Sequence, residues 1–236
     1  EEGTAGVASG KATADGRPLL WKTRDANAPN NEVIWNTAWK IPFVSVITAG
    51  QPGSSWMGVN EKGFAIINTV SSDLAPAEPG SPDAERGGAG LGNGTLMARA
   101  LGECATVEEF EALLKATNAT GRQTATNYGV IDATGAAAFF ETAPNRYWRY
   151  DAANTEKGYI LRTNFAVNGV RKDLHERPYS MDRDLQTEQL MRGFFLTDRI
   201  DFKEIVKHQI RAFGDGEGNL VPLPITGSYD GHPKGY

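Results

Sequence analysis

Cysteine is all but missing from these 236 residues. Cys104 stands alone, so the chain can build neither an intrachain disulfide framework nor a cysteine-rich zinc site. Histidine is scarce as well. His175, His208 and His232 fall at no spacing such as His-Glu-x-x-His, and there is no Gly-x-Ser-x-Gly, which removes the metalloprotease and α/β-hydrolase signatures. Positive charge is not in surplus. The 24 Lys and Arg against 29 Asp and Glu leave a net charge of −5, which argues against nucleic acid or an anionic membrane as partner. Long apolar runs are absent too. Phe64 to Asn68 and Val130 to Phe140 are short or interrupted, far below the roughly 20 residues of a spanning helix. The glycines from Gly87 to Gly94 lack the Gly-Lys-Ser/Thr of a phosphate loop.

What remains is an ordinary globular composition, 40% hydrophobic and 22% charged, long enough for one substantial core. The opening Glu1-Glu2-Gly3, without methionine, reads as a processed or engineered start, compatible with an exported, periplasmic or secreted protein.

Hydrophobic patterning predicts a β-hairpin from Gly6 to Trp21, turning at Asp15-Gly16. A strand follows at Phe43 to Thr48, then a hairpin through Asn60 to Gly63. Residues 72–94 form a long Gly/Pro/Ala-rich connection, read as a lid. Leu96, Ala100, Leu101 and Cys104 then recur at helical spacing, which makes Cys104 core. Thr106 is the expected N-cap of a second helix with Glu108 and Glu109 in its first turn. Strands are expected at 127–132, 136–141, 147–150 and 158–164, helices at 181–196 and 202–213, and a loop from 214 onward. That order suits an α+β fold with helices outside antiparallel sheets.

The stretch from Gly3 to Asp25, turning at Asp15-Gly16 and ending on Trp21-Lys22-Thr23-Arg24-Asp25, closely resembles the opening of the linear amide C–N hydrolases. That family is related to penicillin acyltransferase and the choloylglycine hydrolases. Gly58 to Thr69, Asn127 to Gly135 and Arg162-Thr163-Asn164-Phe165 resemble later blocks of the same family, in order. The resemblance implies a single four-layer αββα N-terminal-nucleophile hydrolase domain over residues 1–236 that hydrolyses a small-molecule amide, or transfers its acyl group, through an acyl-enzyme, without cofactor or metal. It places Asp25 where a carboxylate orients the α-amino base, Asn164 in the oxyanion hole, and Lys22 beside the nucleophile. Trp21, Arg24, Asn68 and Asn127, inside the resembling blocks, are expected on the substrate side. Read without the family, Asp25 caps a turn and Asn164 closes a strand.

The sequence also departs from the family. Gly3 stands at the nucleophile position, where there is no side chain to attack, and Glu2 precedes it, so no free amine arises there. Thr4 is an alternative nucleophile one position late. Relatives continue past a segment like Pro233-Lys234-Gly235-Tyr236 into further strands. The expectation is therefore an incomplete domain, a heterodimer made by autoproteolysis, with a second chain starting after Tyr236 supplying the nucleophile. The competing reading is a catalytically silent relative that binds an acyl amide or serves as a scaffold.

Overall fold

The computed structural model describes residues 2–26, 28–71, 73–74, 90–169, 188, 191, 199–207, 213–214 and 220–221, with the side chains of Glu2, Asp25 and residues 213–214 and 220–221 left out. In chain order the elements are β1 (Glu2–Ala8), β2 (Leu19–Asp25), β3 (Asn31–Asn36), β4 (Phe43–Thr48), β5 (Met57–Asn60), β6 (Ala65–Val70), α1 (Asn93–Glu103), α2 (Val107–Thr120), β7 (Thr126–Ile131), β8 (Ala137–Thr142), β9 (Tyr147–Asp151), β10 (Tyr159–Arg162), α3 (Phe202–Lys207), β11 (Phe213–Gly214) and β12 (Leu220–Val221).

All paired strands run antiparallel. Strands β3 to β9 form one seven-stranded sheet in sequence order, and β10, β1 and β2 form a second sheet with β1 in the middle. Period-two alternation sorts the large sheet's side chains. Ile66, Tyr128, Val130, Ala138 and Phe140 point to one face, where Leu96, Leu101, Phe110 and Leu114 of α1 and α2 cover them. Ile67, Ala137 and Phe139 point to the other and meet Ala5, Val7 and Ile160 of the small sheet. The small sheet's outer face buries Ala8, Trp21 and Leu161 with Met191, Ile200 and, from α3, Ile205. Gly6 is required there: a Cβ would lie 2.0 Å from the Trp21 indole.

Local signals account for the helices. Thr106 Oγ1 accepts the Glu109 amide, and the Glu109 carboxylate reaches back to the Ala105 amide. Gly121 ends α2 at φ 85. The Asp132 carboxylate receives the Val107 amide at the same helix N-terminus, 2.7 Å away.

Four expectations need correction. The first strand ends at Ala8, because Ser9 to Pro18 form a longer connection whose Ala12 and Thr13 pack under Ile200. The edge strand β3 was not anticipated, since its residues are mostly exposed and carry no buried face. Asn164 lies outside β10, which ends at Arg162. The stretch from residue 214, expected as loop, contains the short β11–β12 pair. Most of the expected 181–196 helix, most of the lid at 72–94, the three histidines and Pro233 to Tyr236 lie outside the described residues. No helix among the described residues is long and apolar enough to cross a membrane.

Candidate active site

Gly3 sits near the start of the central strand of the small sheet. It shares its face of β1 with Ala5 and Val7, so a side chain at position 3 projects into the space between the two sheets. An ideal Cβ there lies 3.7 Å from Lys22 Cε and 3.7 Å from Thr69 Cγ2, but only 2.6 Å from the Thr23 carbonyl oxygen. The Gly3 amide donates to Asn164 Oδ1 at 2.9 Å, a bond spanning 161 positions of sequence.

The other expected residues gather around this point. Asn164 Nδ2 donates to the Val70 carbonyl at 2.8 Å, tying the turn after β10 to the end of β6. Lys22, on the inner face of β2, donates to Asn68 Oδ1 at 2.6 Å and to the Trp56 carbonyl at 3.4 Å. A lysine ammonium is donor only, so it fixes the Asn68 carboxamide with oxygen toward the charge. Among the described residues, Asn68 Nδ2 is then buried without a hydrogen-bond partner. Asn127 donates to Thr69 Oγ1 and to the carbonyls of Thr163 and Phe165, holding both flanks of Asn164. The result is a partly buried ammonium and several side-chain amides around position 3. Such a site favours a thiolate or an oxyanion at that point.

Three expected residues stand differently. Arg24 pairs with Gly3 across the strands, but its guanidinium reaches outward to Asn31 Oδ1 at 2.7 Å and Thr48 Oγ1 at 3.2 Å, and lies over the Trp56 ring. Trp21 has the opposite parity from Lys22 and packs in the outer core with Ile200 and Ile205. Asp25 ends β2 opposite Glu2, with its side chain outside the described structure.

Thr4 also alternates away from Gly3, Ala5 and Val7, so its side chain faces the other side of β1. Cys104 lies on the helix side of the large sheet, 3% exposed. Burial, then Glu109 and Glu103, pushes its thiol up to about 12, so it is protonated and unreactive at neutral pH. Among the described residues no three His, Cys, Asp or Glu side chains cluster as metal ligands would.

Sequence reasoning missed Thr69 beside position 3, and it missed the two carboxylates that anchor the Asn164 turn. Asp73 accepts the Ala166 amide at 3.0 Å, and Glu141 accepts the Val167 and Asn168 amides. Glu141 did carry a signal: it is a charged residue closing the apolar run Ala136 to Phe140.

Residues 12–209 match the profile of the family described as acyl-coenzyme A:6-aminopenicillanic acid acyl-transferase. No curated protein matches the chain. Among solved structures, the N-acylethanolamine-hydrolyzing acid amidase orthologue of Caenorhabditis elegans superposes with a TM-score of 0.57 at 12% identity, covering 86% of this chain and 84% of that one. Two variants of the conjugated bile acid hydrolase of Clostridium perfringens give TM-scores of 0.53 and 0.54 at 14% and 16% identity. They cover 89% and 86% of this chain, and 80% and 77% of theirs. At such identities the superpositions establish a shared fold, that of the N-terminal-nucleophile hydrolases. The family match runs from the β1–β2 connection past α3 and takes in Lys22, Asn68, Asn127 and Asn164, so the chain belongs to the penicillin acyltransferase family.

Proposed function

We propose that this chain carries the supporting part of an amide-bond hydrolase or acyl-transfer site, and that the acyl-enzyme of that chemistry needs a nucleophile that position 3 does not supply. The observation that carries the reading is the bond between the Gly3 amide and Asn164 Oδ1, with Lys22 beside the empty side-chain position. In this reading Lys22 favours the ionised nucleophile electrostatically, and Asn164 and the Nδ2 of Asn68, unpartnered among the described residues, serve the carbonyl oxygen as charge develops on it. Arg24 and Asn127 belong to the frame around the substrate, Trp21 supports β1 from behind, and Asp25 orients an amine released at position 3. The substrate class is an acyl amide, which is the chemistry named for the N-acylethanolamine amidase neighbour.

One observation favours a second reading, a silent relative that binds an acyl amide without cleaving it. The Thr23 carbonyl stands 2.6 Å from where a Cβ would be, so the backbone is closed around glycine. Incubating the purified chain with N-acyl amides separates both readings from ordinary catalysis. Binding without amine release is expected, and steady turnover by the unaltered chain would overturn the proposal.

The same proposal extends to the fold as a four-layer sandwich, with α3 in the outer helical layer, left open on one side. Its support is a part of the large sheet's inner face that no described residue covers. The small sheet stands over β6 to β8, while Val33, Trp35, Val44 and Val59 of β3 to β5 are 68%, 56%, 37% and 47% exposed. Leu20, Val46 and Met57 line a groove of about 300 Å³ there. Further strands at about 4.8 Å spacing, added beside β2, would cover it. The chain alone should bind a hydrophobic dye at this face, and Val33→Glu with Val44→Glu should remove most of that binding. No dye binding would contradict an open face.

A further inference from the structure

The turn from Thr163 to Gly169 carries Asn164 but has no regular structure of its own. Its backbone amides therefore need partners from elsewhere. Two carboxylates supply them from two different elements. Asp73, just beyond β6, accepts the Ala166 amide through Oδ1 at 3.0 Å and Oδ2 at 3.2 Å, and its own orientation is set by Ser71 Oγ at 2.6 Å. Glu141 of β8, fully buried, accepts the Val167 amide at 2.8 Å, the Asn168 amide at 3.1 Å and Asn168 Nδ2 at 3.0 Å. The Glu141 charge is balanced by Arg162 Nε at 3.0 Å, and the Arg162 guanidinium lies over the rings of Phe139 and Tyr150.

We infer that Asp73 and Glu141 are positioning residues: by gripping consecutive amides at Ala166, Val167 and Asn168, they set the Asn164 carboxamide against position 3. This rests on the reading of Asn164 as a site residue. Packing alone is a poor substitute for the grip. The turn's apolar contact is made by one small side chain, Ala166, buried with Leu74 and Ala143 and flanked by Ala125 and Trp148, and the tip of the Asn164 side chain bonds to Gly3 and Val70. Directional anchors two to four residues beyond Asn164 leave the turn little freedom to rotate that tip away. A substitution at Asp73 thus acts on Gly3 across the chain 73 to 166 to 164 to 3, without touching either β1 or β2.

The Gly3 amide is a built-in reporter, because its acceptor is Asn164 Oδ1 itself. Amide hydrogen exchange on the full chain by NMR tests the inference. Asp73→Ala should accelerate exchange at both Ala166 and Gly3 by about tenfold, the loss of roughly one hydrogen bond, while Val130 in the large sheet stays unchanged. Asp73→Asn keeps an acceptor in place and should restore both. Glu141→Gln, which retains one acceptor oxygen, should accelerate Asn168 and Gly3 together. Acceleration confined to Ala166, or equal acceleration at Val130, would overturn the inference, because the carboxylate would then act locally or on overall stability. A second arm separates this from the proposed function. In the Gly3→Cys chain lacking Glu1 and Glu2, Asp73→Ala should slow acylation by an activated ester while Asp73→Asn recovers it. If that parent fails to acylate, the functional reading fails, and the exchange data still decide the positioning role.

Discussion

Arg122→Ala is expected to lower the unfolding free energy by about 3–5 kcal/mol. Arg122 is 1% exposed and spends its guanidinium on neutral acceptors alone. Nε and Nη2 donate to the Ala143 carbonyl at 3.0 and 2.8 Å, Nη1 to the Leu114 carbonyl and Thr117 Oγ1, and Nη2 also to Asn118 Oδ1 and the Arg146 carbonyl. One residue thus fastens the last turns of α2 to the β8–β9 turn, and its cation sits where the helix dipole is negative. Burial pulls its pKa down to about 10, which still leaves it charged at neutral pH. Truncation strands several buried carbonyls and opens a cavity. Arg122→Lys keeps the charge but not the planar fork, so it should fall between. Urea denaturation of the three proteins measures this, and a loss below about 1 kcal/mol for Arg122→Ala would contradict the role.

The hairpins and the first two helices were readable because their cues are local. Asp15-Gly16, Asn60 to Gly63 and Thr106 with Glu109 each specify a turn or a cap within four residues. Gly16 and Gly63 indeed take positive φ. Elements defined by distant contact were not readable. Ala12 and Thr13 look like strand in sequence and instead meet Ile200. Strand β3 has no buried face, and its Val33 and Trp35 are exposed at a sheet edge. The site divides in the same way. Lys22, Asn68, Asn127 and Asn164 were reached through family resemblance, since nothing in the spacing of residues 3 and 164 announces their hydrogen bond. Asp73 fell inside a stretch read as lid and was passed over. The Glu141 anomaly in an apolar strand was physical and visible, but its partners at Arg162, Val167 and Asn168 depend on strand order.

Installing a thiol at position 3 is expected to have the largest functional effect. With Glu1 and Glu2 in place, Gly3→Cys presses its Cβ on the Thr23 carbonyl and should cost about 1–3 kcal/mol of stability. Removing Glu1 and Glu2 releases the pairing of Glu2 with Asp25, lets the strand end retreat and creates a free α-amine next to the thiol. That amine, with an ordinary pKa of about 7.7–8.0, can take the thiol proton, and Lys22 favours the thiolate. The parent chain has no such group in the site, and Cys104 is buried and protonated on the far side of the large sheet.

The most direct measurement is intact-mass and peptide-mapping mass spectrometry of both proteins after exposure to an activated acyl ester. One acyl group at position 3 of the shortened Gly3→Cys chain, with none on the parent, is the predicted result. An acylated parent, an adduct at Cys104, or a folded variant that takes up no acyl group would contradict the assignment of position 3 as the vacant nucleophile of an amide-bond site.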